Sequence, residues 1–111
     1  MPTKANEPIF FALLKRATIA RPVTEYQFHP TRKFRLDYAW TEAKLGLEVD
    51  GGVWSGGAHG RGTGIVRDQE KTNLAAGLGW RIVRVTPQHL CTEQTITYLT
   101  DALQWRVEPA S

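Results

Sequence analysis

The stretch Lys33-Phe34-Arg35-Leu36-Asp37-Tyr38-Ala39-Trp40 and, after a short gap, Lys44-Leu45-Gly46-Leu47-Glu48-Val49-Asp50 sets the expectation for the whole fold. Successive side chains of a strand point to opposite faces, so alternating apolar and polar types mark a strand with one face in a core. In the first segment Phe34, Leu36, Tyr38 and Trp40 share one face, and Arg35, Asp37 and Ala39 the other. In the second, Leu45, Leu47 and Val49 oppose Lys44, Gly46, Glu48 and Asp50. Two such runs joined by about two to four residues around Thr41 to Ala43 predict an antiparallel hairpin.

Upstream of the hairpin, Val23 to His29 also alternates, and Pro30 ends it. Before that, Asn6 can cap a helix that tolerates Pro8 in its first turn and runs to about Thr18, with Phe10, Phe11, Leu14 and Ala17 at helical spacing. Glu7 falls on the same stripe, where it either complements the helix dipole or contributes a carboxylate to a site on the core side. Downstream, Gly51 to Gly64 holds seven of the chain's 10 glycines, has no periodicity and reads as a loop. A helix over Ile65 to Leu78 is expected to stop at Gly79, where a left-handed residue closes many helices. Trp80 to Thr86 reads as a strand buried on both sides. Thr86-Pro87 then offers an N-cap and a first-turn proline, and helical spacing resumes from Thr92 through Ile96, Leu99 and Leu103. Helix, three strands, helix, strand, helix is the order of a single α/β domain with a mixed central sheet flanked by helices.

The 111 residues contain one cysteine, three histidines, 14 Lys plus Arg and 11 Asp plus Glu. A lone Cys91 excludes an internal disulfide framework, and with so few histidines a Cys/His zinc cage is excluded as well. No run approaches the roughly 18 apolar residues of a membrane span, and the N-terminus lacks the apolar core of a signal peptide. Together these point to a soluble, intracellular protein, expected in the cytoplasm. Residues 1–36 carry seven basic and two acidic side chains, residues 37–50 four acidic and one basic, and residues 51–67 only Arg61 and Arg67. An acidic island between basic flanks fits a polyanion partner with a metal-binding centre.

An even hairpin loop places Asp37 on the same face as Glu48 and Asp50, with Asp37 opposite Glu48 or one diagonal step away. Unpaired carboxylates so close repel and raise one another's pKa values. Mg²⁺ or Mn²⁺, which favour oxygen ligands with open water positions, would relieve that repulsion. The simpler alternative is the wet face of an exposed hairpin, neutralised by Arg35 and Lys44 across the strands.

Arg35-Leu36-Asp37, Leu47-Glu48-Val49-Asp50-Gly51-Gly52, Asp68 and Gly79-Trp80-Arg81-Ile82-Val83-Arg84-Val85, in this order, resemble the PD-(D/E)XK nuclease superfamily, and within it the small very-short-patch-repair-like endonuclease domains. The resemblance implies a restriction-endonuclease-like core, with Asp37 and Glu48-Val49-Asp50 as the metal-binding and water-activating positions. It implies Glu7 as the first-helix glutamate found in several members, including archaeal-type Holliday junction resolvases. Two departures stand out: Leu36 occupies the place of the motif proline, and Asp50 that of the motif lysine. The second removes the cation expected to polarise the attacking water or stabilise the phosphate. Lys71, on one helix face with Asp68, Ala75 and Leu78, is a candidate replacement; Lys44 and His59 are others.

The glycine loop also carries Trp54, His59 and Arg61. Its backbone can approach phosphates closely, and Trp54 can stack on an unpaired base. No Gly-Lys-Ser/Thr follows, which disfavours a nucleoside triphosphatase. Arg16, Arg21, Arg32, Lys33 and Arg61 are the expected phosphate contacts, giving salt-dependent affinity without sequence reading. Of Arg81 and Arg84, on opposite parities of one strand, one is expected to be structural; His29 and His89 are expected to serve as surface or capping groups. The expectation is therefore a Mg²⁺- or Mn²⁺-dependent DNA endonuclease acting on branched, Holliday-junction or mismatched DNA. Asp37, Glu48 and Asp50 would be its metal ligands, with Glu7 and Lys71 in support. A homodimer through the last helix, with Ile96, Leu99, Leu103 and Trp105, is compatible with symmetrical cutting. The competing expectations are an inactive nucleic-acid-binding module on a nuclease fold and a small scaffold with no site.

Overall fold

The computed structural model describes residues 5–51 and 64–105. Helix α1 (Glu7–Arg16) leads into strands β1 (Val23–Gln27), β2 (Arg35–Trp40) and β3 (Leu45–Val49). Helix α2 (Ile65–Gly77), strand β4 (Arg81–Val85), a 3₁₀ turn (Pro87–His89) and helix α3 (Glu93–Gln104) follow. The four strands form one mixed sheet in the order β1-β2-β3-β4; β3 and β4 are parallel and the other neighbours antiparallel. A parallel neighbour requires a crossover, and α2 lies within the connection from β3 to β4. The order of elements is the one the sequence predicts. No helix among the described residues is long and apolar enough to cross a membrane.

Helices cover the sheet on both faces. Phe10 and Leu14 of α1 and Leu99 of α3 pack with Tyr38, Trp40, Leu45, Leu47, Val49 and Val85 on one side. Ala75 of α2 and Trp80 pack with Phe28, Phe34, Leu36 and Ala39 on the other. All five residues of β3 are buried, which no alternating pattern announces. Gly46 permits this, because a Cβ there would stand 2.8 Å from Leu36 Cδ1. The apolar stripe of α3 is likewise spent on the sheet: Ile96 and Leu103 pack against the core beside Leu99, while Tyr98, and Trp105 just past the helix end, are exposed large apolar side chains.

Several local expectations need correction. Phe34, Leu36, Tyr38 and Trp40 do not share a face: the first two join the α2-side cluster and the last two the α1-side cluster. The switch falls at Asp37. There Glu25, between the paired positions Thr24↔Tyr38 and Tyr26↔Leu36, has φ 50°, and a left-handed residue bends and twists a ribbon as a bulge does. Strand β4 is not buried on both sides, because it lies at the sheet's edge; only Val85 is fully covered. Asn6 makes no side-chain cap. Its carbonyl instead accepts the Phe10 amide at 2.9 Å. Helix α1 ends at Arg16 rather than Thr18, in a Schellman arrangement: Ile19 N–H donates to Leu14 O at 2.9 Å and Thr18 N–H to Lys15 O at 3.0 Å, with Thr18 at φ 62°. Helix α2 ends the same way, on the expected Gly79 at φ 84°. Thr92 caps α3 as its side chain accepts the Thr95 amide.

Candidate active site

The hairpin register runs Trp40↔Leu45, Ala39↔Gly46 and Tyr38↔Leu47, so the next residues, Asp37 and Glu48, stand opposite one another. Beyond Tyr38↔Leu47 the two carboxylates take over from backbone pairing. Asp37 N–H donates to Glu48 Oε2 at 3.1 Å, and Val49 N–H donates to Asp37 Oδ2 at 2.8 Å. Each side chain thus satisfies a backbone donor that the parting strands leave unmatched. Both are buried, Asp37 7% and Glu48 4% exposed, which is rare for carboxylates without partners. Burial pushes the Glu48 pKa up and the Asp37 charge adds to that; Lys71 pulls it down without cancelling the rise.

Lys71 arrives from α2. Ala75, fully buried against the sheet, lies one helical turn further on, so Lys71 projects toward the same surface and its ammonium donates to Glu48 Oε1. Among the three candidates for the missing motif cation, it is the one the described residues bring to the carboxylates. Lys44 goes elsewhere: at φ 50° it closes the hairpin turn, and its Nζ donates to Leu78 O at 3.0 Å, at the end of α2. His59 lies outside the described residues, as do Trp54 and Arg61.

Asp50 does not converge with Asp37 and Glu48. Its carboxylate meets Arg84 at 3.2 Å, and Arg84 also donates to Asp68 at 3.2 Å and to Thr72 Oγ1 at 2.7 Å. Burial alone would lower the Arg84 pKa, but the charges of Asp50 and Asp68 outweigh it and hold it above the ordinary value. Arg84 pairs in register with Glu48, and parallel partners share a face. Asp37, Glu48 and Arg84 therefore cross three adjacent strands in a row beneath α2. Arg84 is the site residue that sequence reasoning left unplaced; its parity on β4 was the available signal. Arg81, of opposite parity, is structural: it donates to Ala102 O at 2.7 Å and lies 5.5 Å from the Trp105 ring centre.

Glu7 stands on the α1 side, where it accepts the Tyr38 hydroxyl at 2.9 Å. Burial, and then this bond, push the Tyr38 hydroxyl pKa well up. Glu7 is thus tied to the neighbour of Asp37 rather than to the carboxylate pair. Of the expected phosphate contacts, Arg21 lies over Phe11 on the α1 side at 4.4 Å and Arg16 closes α1. Arg32 and Lys33 instead precede β2, beside Arg67 of α2. His29 and His89 act as turn caps, His29 Nδ1 accepting the Arg32 amide at 2.9 Å and His89 Nδ1 meeting Thr86 Oγ1 at 2.7 Å.

Among the described residues no three carboxylate, imidazole or thiol groups gather closely enough to hold a metal ion. A site of two carboxylates still fits Mg²⁺ or Mn²⁺, since Mg²⁺ commonly takes one or two protein carboxylates and completes its shell with water and substrate phosphate oxygens. Among the described residues, Glu48 pairs with Lys71, and Asp50 and Asp68 share Arg84, so the carboxylates and their cations lie on one face. Compared with protein families, curated proteins and solved structures, the chain matches none of them.

Proposed function

We propose that this chain is a Mg²⁺- or Mn²⁺-dependent DNA endonuclease built on a restriction-endonuclease-like, PD-(D/E)XK-type core and acting on branched, junction or mismatched DNA. The observation that carries it is the buried Asp37–Glu48 pair on adjacent strands, with the Lys71 ammonium delivered to Glu48 from the covering helix. Asp37 and Glu48 would hold the ion. When bound, it supplies Lewis-acid charge to a phosphodiester and lowers the pKa of a coordinated water.

The remaining work falls to the chain's own groups. Lys71 takes the place of the motif lysine, offering a cation beside the carboxylates from helix α2 instead of strand β3. Arg84, held by Asp50, Asp68 and Thr72, presents a fixed guanidinium on the same face, suited to a phosphate oxygen. Glu7 acts at a distance, holding the Tyr38 hydroxyl behind Asp37. The described Arg and Lys side chains are suited to phosphate contacts, which position a DNA backbone. Symmetrical cutting of a junction would require two copies.

A second reading, a nucleic-acid-binding module without activity, is favoured by one feature: Lys71 already compensates Glu48, so the pair is stable without a divalent ion. One assay separates the two. Plain duplex, flap, mismatch and four-way junction DNA are incubated with Mg²⁺ or Mn²⁺. Cleavage that prefers the distorted substrates and disappears in Asp37→Asn and Glu48→Gln is expected. Cleavage unchanged in both variants refutes the site, equal cutting of all substrates refutes structure specificity, and binding without cutting supports the module.

A further inference from the structure

Beside the carboxylates, the loop before β2 and the first half of α2 enclose a cleft of about 270 Å³ lined by Thr31, Arg32, Lys33, Phe34 and Arg67. Arg32 and Arg67 both lie over the buried Phe34 ring, their guanidinium carbons 5.0 and 5.1 Å from its centre. Two like charges are thus held against one ring, with Lys33 between them in sequence. Glu70 is the acidic partner there: it takes Arg32 in a two-pronged pair at 2.7 and 3.2 Å. Among the described residues, Lys33 and Arg67 make no salt bridge, although the Arg67 charge also acts on Glu70. A carboxylate fork on a guanidinium has the geometry that a phosphate also uses. The pair is about half exposed, 44% and 47%, so its exchange for another anion costs little.

The cleft adjoins the proposed centre along both elements that build it. Glu70 immediately precedes Lys71. Phe34 precedes Asp37 by at most about 10 Å of extended chain, or about three base-pair steps along a duplex. We infer that Arg32, Lys33 and Arg67 form a subsite for the DNA phosphate backbone beside the cleaved bond, with Glu70 occupying Arg32 until a phosphate displaces it. This rests on the nuclease reading for its substrate, and extends it to a defined strand path along α2 and a residue that opposes binding.

The test is binding, measured with the divalent ion chelated so that cleavage plays no part. A fluorescently labelled 20-base-pair flap duplex is titrated with the full chain by anisotropy over a range of salt. Lys33→Ala with Arg67→Ala should weaken binding about tenfold and reduce the salt slope by about 1.8, for two lost phosphate contacts. Glu70→Gln should tighten binding severalfold, the opposite of what a merely structural pair would give. Thermal melting of each variant separates these effects from unfolding. Unchanged affinity and slope in the double variant, or weaker binding in a folded Glu70→Gln, overturns the subsite. Equal affinity for a polyglutamate peptide of matching charge overturns its assignment to DNA. The two proposals fail separately: wild-type binding with these dependences but no cutting in Mg²⁺ or Mn²⁺ sinks the nuclease alone, whereas metal-dependent cutting with an indifferent double variant sinks the subsite alone.

Discussion

Glu48 accepts from the Asp37 amide on one oxygen and from the Lys71 ammonium on the other, so its carboxylate is held between a backbone donor and a cation. Both of its oxygens are held in place by these two donors. Under the nuclease proposal Lys71 is the working cation, and Lys71→Met should lower the single-turnover cleavage rate by about 10²–10³, the usual cost of one charge-stabilising donor. Affinity for DNA should change little, since Lys71 faces Glu48 rather than solvent; a loss confined to binding would reassign Lys71 to substrate contact. Arg84 makes a contrasting case. It neutralises Asp50 and Asp68, both within reach of water at 30% and 55% exposure, so Arg84→Ala should cost less than about 1 kcal/mol in denaturant unfolding. That Asp37 and Glu48 share a face was legible from hairpin parity; that they stand directly opposite follows from the four-residue turn between Trp40 and Leu45. The role of Arg84 was not, because it depends on which strand lies beside β3 and in which direction, and both follow from a crossover that no local pattern encodes.

Elements end here by the same device with different chemistry. Gly79 closes α2 at φ 84°, and a Cβ there would meet nothing nearer than Lys44 at 3.8 Å, so the cost of Gly79→Ala is conformational. It should destabilise by about 1 kcal/mol, the left-handed penalty less the entropy removed from the unfolded chain. Thr18 closes α1 at φ 62° with a β-branched residue, so Thr18→Gly should be neutral or gain up to about 1 kcal/mol. Thermal melting of both decides it, and equal effects of one sign would refute the account. The glycine stop was readable because its residue type announces the conformation; the threonine stop was not, since six-to-one and five-to-two hydrogen bonds impose it. Alternation in β2 misled for a related reason. Phe34, Leu36, Tyr38 and Trp40 are all apolar because both faces of the sheet are covered, so the pattern carries no trace of the twist at Asp37.

Across the whole molecule, the apolar helices α1 and α3 cover one face of the sheet, and the charged helix α2 and the carboxylates share the other. A site buried beneath α2 couples ionisation to folding. The folded-state pKa of Glu48 is raised above its unfolded value near 4.5, chiefly by burial. A raised carboxylate favours the protonated native state: its contribution to stability is fully present below the unfolded pKa and is lost as pH rises through the folded one. In chelator, the wild-type chain should therefore lose stability relative to Glu48→Gln as pH climbs from about 4.5 toward neutrality. Under the proposed metal site, bound Mn²⁺ should reverse the order, because only the ionised carboxylate can serve as a ligand. At one hundred times its dissociation constant the ion adds about 2.7 kcal/mol to wild type at neutral pH. Little is gained below pH 4.5, where protons compete, and little at any pH by Glu48→Gln. Melting curves over this pH range, with chelator or Mn²⁺, decide the matter: a Mn²⁺ effect equal in the two chains would show that the ion binds away from Glu48.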